Sequence, residues 1–322
     1  MKITQLDLFS GIGGFHLGFE KAGYKVTSFF SEIDKHAIAV YKHQFKNSTY
    51  VGSVTNVRGA DLPRIDLITF GSPCQDFSLA GKRKGMEGDR SSLVLEAIRL
   101  IGECRPRVFI WENVKGTFSS NNGEDFAAIL QAFTNIGGYR LEWQLLNTSW
   151  FLPQNRERIY LVGYSTTTKR NWRGVFPIGE GNQSNSELEC SRKAITKCLT
   201  ARGQEGHAGM QLVKVKQIGT KLDSNGGTQP YQQDRVYDAE GIVPALNQGK
   251  SDLIIKNNYR IRRLTPIECE RLQGFPDNHT AFGNYDGQVK PMSNTQRYKQ
   301  CGNAVTVDVV QAVAEQCKPL FK

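Results

Sequence analysis

The sequence predicts an α/β protein: a mostly parallel sheet with helices on both faces, and a smaller, irregular, β-rich region late in the chain. Over the first half, short apolar segments alternate with helical ones, and this alternation is typical of a parallel sheet. From about residue 165 to residue 258 the chain becomes rich in Gly, Asn, Gln, Ser and Thr, and its hydrophobic periodicity weakens. A chain of 322 residues is long enough for a large core and a second, smaller unit.

The predicted strands are short apolar runs, and the predicted helices follow them in turn. The strands are expected at Ile3–Phe9, Val26–Ser31, Ile65–Phe70, Val108–Trp111, Tyr139–Leu146 and Ile159–Val162. The helices are expected at Gly11–Lys21, Asp34–Gln44, Ser91–Glu103 and Glu124–Thr134. Near the end, Thr265, Pro266 and Glu268 have the spacing of a capping box that starts a helix. A final helix over Ala304–Gln316 is expected to pack back on the sheet.

The polar stretch 165–258 carries 13 Lys and Arg residues against 9 Asp and Glu residues. Two short apolar fragments within it, at 194–200 and 241–247, are similar to each other but too short to define a repeat. A disordered insert is the alternative interpretation. Its aromatic residues and apolar patches favour a folded, β-rich region.

Composition restricts the class of protein. No apolar run reaches the roughly 18–20 residues that a membrane span needs, and the N-terminus has an early carboxylate and no secretory cleavage site. The seven cysteines include no CxxC pair, so we expect neither a disulfide framework nor a zinc site, and a cytoplasmic location. The net charge of +10 and the pI near 9.2 suit a polyanionic partner, although a solvated basic surface would have the same composition.

A glycine-rich turn follows the first predicted strand, in the segment DLFSGIGGF at 7–15. Glycines there let the backbone turn tightly and approach a ligand. A dinucleotide-binding GxGxxG pattern would have glycine at position 16, where this chain has His16. Glu32, at the end of the second strand, is placed to accept hydrogen bonds from ribose hydroxyls. The glycine-rich turn and Glu32 together predict a nucleoside-binding site without a pyrophosphate cradle, as S-adenosylmethionine requires. The alternative interpretation is that the turn is purely structural.

Cys74 follows the strand Ile65–Phe70 in the segment Gly-Ser-Pro-Cys-Gln at 71–75. A cysteine at the carboxyl end of a strand lies on the ligand side of the sheet, where a thiolate can act as a nucleophile. Most cysteines are simply small buried hydrophobes, and we assign the other six to that structural role. The loop 78–90 that follows contains three glycines and a basic cluster, which predicts either a mobile, phosphate-binding loop or an ordinary exposed one.

Glu112 ends the strand that begins at Val108, so its carboxyl group is expected at the same edge of the sheet as Cys74. In a cleft such a carboxyl group can act as a general acid, whereas a lone glutamate is more often a surface residue. Arg156 and Arg158 lie just before the last strand of the sheet. An arginine there can donate to a carbonyl or hold a carboxylate.

These segments together resemble the C5 cytosine methyltransferase family of the bacterial restriction-modification type. The matching blocks occur in the family's order: DLFSGIGGF (7–15), SEID (31–34), GSPCQDFS (71–78), DRSSL (89–93), ENVKG (112–116), QNRERIYLVG (154–163), RLTPIECERLQGFP (263–276) and GNAV (302–305). They extend over nearly the whole chain except 164–259, where the family has its variable target-recognition region. The Pro-Cys-Gln, Glu-Asn-Val and Arg-Glu-Arg blocks are the most specific.

The resemblance implies an S-adenosylmethionine-dependent, Rossmann-like methyltransferase with a mixed sheet. It implies Cys74 as the nucleophile, Glu112 as the proton donor to cytosine N3 and Arg158 as the arginine that holds the pyrimidine, with Arg156 completing the catalytic set. The cofactor-binding set it implies is Phe9, Ser10, Gly11, Gly13, Gly14, Phe15, Glu32, Ile33, Ser53, Val54, Pro73, Leu93, Asn303, Ala304 and Val305. Contacts with DNA are expected from Gln75, Ser78, Lys82, Arg83 and Lys84, and no metal is expected.

The resemblance also implies how the chain is divided: a catalytic and cofactor-binding domain over 1–164, completed by 295–322, and a target-recognition domain and hinge over 165–294. The expected partner is double-stranded DNA, whose cytosine is flipped out of the helix, with a restriction endonuclease acting separately. We expect a monomer. One residue departs from the family pattern, because Ser53 stands where the family has an Asp that contacts the adenine amino group.

Three other functions fit parts of the sequence. Some family members methylate cytosine in tRNA, but the sizeable variable region favours the reading of a DNA sequence. A catalytically silent DNA-binding regulator would not need Cys74, Glu112 and Arg158 together. A dinucleotide-dependent oxidoreductase is disfavoured by His16 in the glycine turn.

Overall fold

The fold is given by a computed structural model that describes residues 1–72, 92–167, 174–179 and 263–322, and only the backbone of short strands between 217 and 262. The first eight strands are β1 (Lys2–Leu8), β2 (Lys25–Ser31), β3 (Thr49–Tyr50), β4 (Leu67–Gly71), β5 (Val108–Val114), β6 (Tyr139–Asn147), β7 (Gln154–Asn155) and β8 (Glu157–Ser165). The helices of the described residues are α1 (Gly14–Lys21), α2 (Lys35–Gln44), α3 (Ser92–Cys104), α4 (Glu124–Asn135), α5 (Pro266–Leu272), α6 (Asn294–Asn303) and α7 (Val307–Cys317).

In the described part of the chain, seven strands form one sheet in the order β3-β2-β1-β4-β5-β8-β6. The pairs from β3 to β5 are parallel, and β8 runs antiparallel to both β5 and β6. Strand β1 sits at the centre of the parallel part, so the carboxyl ends of β1, β2, β4 and β5 meet at one edge. Such an edge is where open α/β sheets bind their ligands.

Helices cover both faces of this sheet, as the alternation of strands and helices predicts. On one face α1 and α7 pack against a core cluster that includes Phe19, Leu67 and Val310. They approach closely, because a Cβ atom added at Gly18 would lie 2.4 Å from a methyl group of Val310. On the other face α3 and α4 pack on a second cluster built around Trp111. Burial on both faces explains why the central strands β4 and β5 are almost continuously apolar up to their carboxyl ends.

The helix boundaries differ from the sequence prediction by more than one residue at two places. The first helix begins at Gly14 rather than Gly11, because Gly11 and Gly13 have φ values of +53° and +85°, which are not helical. The last helix begins at Val307 rather than Ala304. Before it lies α6, which the sequence analysis missed because its segment NTQRYKQCGN has no apolar periodicity. The capping box at Thr265 is confirmed. The Thr265 hydroxyl accepts a hydrogen bond from the main-chain N–H of Glu268, and the Glu268 carboxylate accepts one from the main-chain N–H of Thr265.

The region expected to be β-rich contributes short strands: β9 (Gln217–Thr220), β10 (Arg235–Asp238), β11 (Val243–Pro244), β12 (Ile254–Asn257) and β13 (Arg260–Arg263). Four of them form a separate sheet in the order β13-β12-β10-β9, while β11 pairs with β7. The apolar fragment 194–200 lies outside the described residues. A hairpin follows at β14 (Phe282–Tyr285) and β15 (Gln288–Pro291).

Two segments that the sequence analysis assigned to the target-recognition domain pack against the first domain. Val175 and Ile178 belong to the core cluster on the α1 side of the large sheet. Phe275 and Met292 share a cluster with Ile12 of the glycine turn. The division of the chain at residues 165 and 294 remains a proposal. Of the helices that are described, none is both long and apolar enough for a membrane span.

Candidate active site

The glycine-rich turn lies at the carboxyl end of β1. Phe9 has a φ of 52°, an unusual value for a side chain with a Cβ, and Gly13 has a φ of +85°. A Cβ at Gly13 would lie 2.2 Å from the Phe45 ring, so only glycine fits there. The turn is tied down from two sides, because Ser10 N–H donates to the Ser31 carbonyl over 3.1 Å and the His279 ring contacts the Ile12 carbonyl at 2.9 Å.

Glu32 closes this turn from the end of β2. Its carboxylate accepts from the main-chain N–H of Gly11 at 2.9 Å, and from those of Ile33 at 2.7 Å and Asp34 at 3.0 Å. Ile33 beside it is 80% exposed, an unusual state for a large apolar side chain and a suitable contact for a planar ring. Phe15, which the family resemblance places against one face of the adenine with Ile33 on the other, is only 4% exposed and packs in the core of the α1 face.

Ser53 and Val54 lie next to the end of β2. The Ser31 hydroxyl donates to the Gly52 carbonyl at 2.8 Å, which fixes the segment leading to Ser53. The Ser53 hydroxyl lies 3.0 Å from that of Thr55, and Val54 is buried. Leu93 is partly buried against the core cluster on the α3 side. Ser10 adds a buried hydroxyl oxygen with no hydrogen-bond partner among the described residues.

The segment Asn303–Val305 reaches the glycine turn from the other end of the chain. A Cβ at Gly14 would lie 2.6 Å from a Val305 methyl group and 3.1 Å from the Val305 carbonyl oxygen. Ala304 is buried with Ile12, whereas Asn303 is exposed. The structure therefore brings together the candidate residues of β1, β2 and this segment, which are far apart in the sequence.

Cys74 lies outside the described residues, as do Pro73, Gln75, Ser78, Lys82, Arg83 and Lys84. The strand that leads to them is described up to Ser72. The Ser72 hydroxyl accepts from Trp111 Nε1 at 2.9 Å and from Asn113 Nδ2 at 3.3 Å, which attaches the end of β4 to the end of β5. The chain therefore leaves the sheet toward Cys74 beside the strand that carries Glu112.

Glu112 and Arg158 face each other at this edge. Their strands pair so that Glu112 lies beside Gly71 on one side and Tyr160 on the other. Arg158 Nε is 3.2 Å from Glu112 Oε1, an ion pair that lacks the alignment of a hydrogen bond. Glu112 is 8% exposed, and a Cβ at Gly71 would lie 3.2 Å from Glu112 Oε2, so glycine leaves room for the carboxyl group. A nearly buried carboxyl group with one unbonded oxygen is suited to exchange a proton with a ligand.

Arg156, expected in the catalytic set, has a different environment. It is 4% exposed, and its guanidinium donates to the carbonyls of Gly302 at 3.3 Å and Ala304 at 2.9 Å. Burial, with the neighbouring charge of Arg158, lowers the pKa of Arg156 to about 10, so it remains a cation at neutral pH. In the described part of the chain it pairs with no carboxylate.

Sequence reasoning missed a buried polar network beneath the glycine turn. Asp7 is fully buried, and it accepts from the hydroxyl groups of Thr69 at 2.7 Å and Tyr41 at 3.4 Å. Burial raises the pKa of Asp7 to about 8, against the opposing hydrogen bonds. Tyr41 also contacts His16 Nδ1 at 3.1 Å, which gives His16 a structural role. The signal that could have found this network is an acidic residue between two leucines, Leu6 and Leu8, in a strand predicted to be buried.

The residues at this edge fit S-adenosylmethionine. A carboxylate lies beside the turn, an exposed apolar side chain is adjacent, and a buried serine hydroxyl oxygen has no partner. No metal-binding group of three or more His, Cys, Asp or Glu side chains occurs in the part of the chain that is described. Together with the antiparallel β8 between β5 and β6, these features define a Rossmann-like methyltransferase domain.

Residues 3–319 match the family model for C-5 cytosine-specific DNA methylase, and the chain therefore belongs to this family of DNA cytosine-C5 methyltransferases. It is 34% identical over 319 residues to the type II methyltransferase M1.ScrFI of Lactococcus lactis subsp. cremoris, covering 98% of this chain and 78% of that protein. It is 33% identical to M.Bsp6I of Bacillus sp. (strain RFL6), with 96% of each chain covered. With M.HhaI of Haemophilus parahaemolyticus the identity is 30%, over 96% of this chain and 92% of that protein.

Solved structures show the same fold. The S. pombe Dnmt2 methyltransferase superposes with a TM-score of 0.69 at 20% identity, covering 99% of this chain and 100% of that one. The Entamoeba histolytica methyltransferase EhMeth superposes with a TM-score of 0.65 at 17% identity, over 100% and 98% of the two chains. The expected fold class and family are confirmed.

Proposed function

We propose that this methyltransferase transfers the methyl group of S-adenosylmethionine to C5 of a cytosine flipped out of double-stranded DNA, within a specific sequence. The observation that carries the proposal is the Glu112–Arg158 pair, 3.2 Å apart, at the sheet edge where the chain leads to Cys74. A base held at this edge would meet a carboxyl group, a guanidinium and a thiol. Those are the groups that adding a nucleophile to cytosine requires.

The cofactor would be held by the glycine turn, Glu32, Ile33 and the Asn303–Val305 segment. Glu32 would accept from the ribose hydroxyls, for which its carboxylate has lone pairs beyond those used by the main chain. Ile33 would cover one face of the adenine. When bound, S-adenosylmethionine supplies an electrophilic methyl group. The rest of the chemistry is the activation of C5 by side chains of this chain.

Cys74 would begin the reaction. Its thiolate forms a bond to C6 of the cytosine, and the electron pair of the C5–C6 double bond shifts toward C5 and N3. Glu112 shares or donates a proton at N3 as charge accumulates there, and Arg158 holds the Glu112 carboxyl group in place. After C5 has gained its methyl group, loss of the C5 proton to a base restores the C5–C6 double bond and releases the Cys74 thiolate, and the N3 proton returns to Glu112.

The base must leave the duplex, because C6 and C5 cannot be reached from the required face within the stack. Flipping costs a few kcal/mol. Contacts between phosphates and Lys82, Arg83 and Lys84 would offset this cost, with Gln75 and Ser78 close to the base. The residues between 165 and 294 would read the target sequence, with Arg, Asn and Gln side chains suited to base edges in the major groove. A restriction endonuclease acting separately, a monomeric state and a cytoplasmic, nucleoid-associated location complete the proposal.

The direct test is the transfer of tritium from methyl-labelled S-adenosylmethionine to duplex DNA and, in parallel, to tRNA. Label in 5-methylcytosine of the DNA supports the proposal. Label found only in tRNA would identify the rival RNA-modifying function. A protein that binds DNA but labels neither substrate would be a silent regulator.

The recognition region has its own test. Exchanging residues 165–258 for the corresponding segment of a relative with another specificity should change which cytosines are methylated, while the chemistry at Cys74 persists. Bisulfite sequencing of DNA from cells that express the chimera gives the answer. An active chimera that keeps the original methylation pattern would show that the segment only supports the fold or contacts phosphates.

A further inference from the structure

Arg156 is a buried cation without a carboxylate partner among the described residues. Its Nε has no hydrogen-bond partner there either, so its hydrogen bonds are made by the two terminal nitrogens, and the charge of Glu112 also stabilises the cation. Burying a charge is unfavourable, and an apolar side chain could fill such a position at lower cost. What the guanidinium adds is the pair of bonds to the carbonyls of Gly302 and Ala304.

Those carbonyls lie at the C-terminal end of α6, which ends at Asn303 with Ala304 as its cap. The carbonyls of a final helical turn lack partners within the helix, and the helix dipole favours a cation at this end. A planar guanidinium can bind two carbonyls at once, which an ammonium group cannot do with the same geometry. Arg156 therefore fixes the turn between α6 and α7.

The same turn touches the cofactor side of the molecule. Val305 packs so closely on Gly14 that no Cβ would fit between them, and Ala304 shares a core cluster with Ile12. A shift of the turn between α6 and α7 by a few tenths of an ångström would therefore displace the glycine-rich turn. Asn303, between the two carbonyls that Arg156 binds, is exposed.

The main chain of Arg156 is anchored on the catalytic side. Its N–H donates to Asn147 Oδ1 at 3.1 Å, and its carbonyl accepts from Thr148 N–H at 2.9 Å. Two residues further on, Arg158 meets Glu112. Arg156 thus connects the start of the strand that carries Arg158, through its main chain, to the segment beside the glycine turn, through its side chain.

We propose that Arg156 is a positioning residue: by holding the carbonyls of Gly302 and Ala304 it sets the cofactor affinity of the Asn303–Val305 segment and joins that segment to the strand of Arg158. The inference rests on the proposed use of S-adenosylmethionine. It replaces the expectation that Arg156 acts in the chemistry itself.

The test compares Arg156→Lys with Arg105→Lys. Arg105 is a matched control, because its Nη1 donates to the carbonyls of Ile136 at 3.1 Å and Gly137 at 2.8 Å, just beyond the end of α4 and apart from the proposed site. Affinity for S-adenosylhomocysteine is measured by calorimetry at a temperature where every variant is folded. Loss of one charge-assisted bond should weaken binding roughly tenfold in Arg156→Lys and leave Arg105→Lys like the wild type.

If Arg156→Lys bound S-adenosylhomocysteine as tightly as the wild type, the inference would be overturned. A purely structural role for Arg156 predicts that outcome: a lower melting temperature with unchanged affinity. If the wild-type protein itself bound no S-adenosylhomocysteine, the proposed function would fail first, and this inference with it. The two failures are distinguished by the wild-type titration.

Hydrogen exchange on the wild-type protein provides a second test that does not depend on a variant folding. S-adenosylhomocysteine should slow exchange at the N–H groups of Val307 and Thr148, which lie on the two sides of Arg156 and are bonded to the carbonyls of Gln273 and Arg156. Exchange at Ile136 and Gly137, near Arg105, should not change. Protection at Val307 without protection at Thr148 would contradict the proposed connection.

Discussion

Arg158 Nε lies 3.2 Å from Glu112 Oε1, and this ion pair forms across two antiparallel strands of the main sheet. Both side chains are largely buried, so the pair is shielded from water and keeps the carboxyl group in one orientation. The strand register brings the two side chains together. Val114 of β5 is paired with Arg158, and Glu112 is paired with Tyr160, so Glu112 and Arg158 are diagonal neighbours on adjacent strands. The pair is the described part of the proposed catalytic centre.

Glu112→Gln should reduce the rate of methyl transfer by about a hundredfold or more, because an amide cannot share a proton with N3 as a carboxyl group does. DNA binding should persist, since the side chain keeps its size. Single-turnover assays with labelled S-adenosylmethionine measure the rate, and gel mobility measures the binding.

Glu142→Gln is the control for removing a partly buried carboxylate from the same sheet. Glu142 accepts from the Tyr164 hydroxyl at 2.8 Å and from the Val175 N–H at 2.8 Å, on the β6 edge. Its substitution should affect stability more than transfer. Equal rates for Glu112→Gln and the wild type would remove Glu112 from the chemistry.

Glu32→Ala should weaken binding of S-adenosylmethionine by roughly ten- to a hundredfold, the effect of losing charged hydrogen bonds to the ribose. It should also lower the free energy of unfolding by about 1–3 kcal/mol, because the N–H groups of Gly11, Ile33 and Asp34 lose their acceptor. Calorimetry and urea unfolding measure the two effects.

Glu103→Ala separates the two contributions. Glu103 also accepts from a main-chain N–H, that of Gly59 at 2.7 Å, but it lies on α3 and is exposed. The control should lose stability and keep its affinity for the cofactor. Unchanged affinity in Glu32→Ala would mean that the ribose is held by other groups.

Ser53→Asp should strengthen cofactor binding by about three- to tenfold, because a carboxylate accepts a stronger hydrogen bond from the adenine amino group than a hydroxyl does. In the free protein the Ser53 hydroxyl is turned to Thr55, 3.0 Å away. Calorimetry with S-adenosylhomocysteine tests the change, with Thr55→Asp as the neighbouring control. If neither variant alters the affinity, the adenine amino group is recognised by the main chain.

Asp7→Asn should become more stable relative to the wild type as the pH rises. Burial holds the pKa of Asp7 near 8, above its ordinary 3.8, so between these values the unfolded chain ionises while the folded protein stays protonated. The contribution of Asp7 to the free energy of unfolding of the wild type therefore falls by about 1.4 kcal/mol per pH unit as the pH rises to about 8. The asparagine variant lacks this dependence on pH. Urea unfolding of both proteins at pH 5, 6, 7 and 8 measures it.

Asp34→Asn is the opposing control. Although burial works against it, the hydrogen bonds from Lys299 and from the main-chain N–H groups of His36 and Ala37 keep the pKa of Asp34 below its ordinary value. Its stabilisation is fully present above pH 4 and is lost only at lower pH, so the variant should be less stable by a constant amount from pH 5 to 8. A constant difference for Asp7→Asn as well would contradict the buried, protonated state.

Apolar runs were enough to predict six strands of the main sheet, most clearly β4 and β5, which are almost entirely buried. The two-residue edge strand β3 is exposed and has no such run, so it was not predicted. The glycine turn and Glu32 could be predicted together, since both follow strands whose carboxyl ends share an edge. By contrast, the hairpin β14–β15 packs on α2 through β14, and α6 packs on α5, and no local sequence pattern reveals these contacts.

The environment of Arg156 could not be predicted for the same physical reason. The spacing of Arg156 and Arg158 is that of two residues on one side of a strand, and that alternation suggests a shared environment. Their partners come from distant segments, with Glu112 facing Arg158 and the carbonyls of Gly302 and Ala304 facing Arg156. Only the tertiary structure distinguishes the arginine that meets Glu112 from the one that binds the carbonyls of Gly302 and Ala304.

The central claim is that Cys74 forms a covalent bond to C6 of a DNA cytosine during methyl transfer. Duplex DNA in which every cytosine is replaced by 5-fluorocytosine makes the test independent of the target sequence. Fluorine at C5 cannot leave as a proton does, so the adduct should remain trapped when S-adenosylmethionine is present. Peptide mass spectrometry should then find the nucleotide on Cys74, and Cys74→Ala should form no adduct. An adduct on another cysteine, or one that persists in Cys74→Ala, would contradict the account.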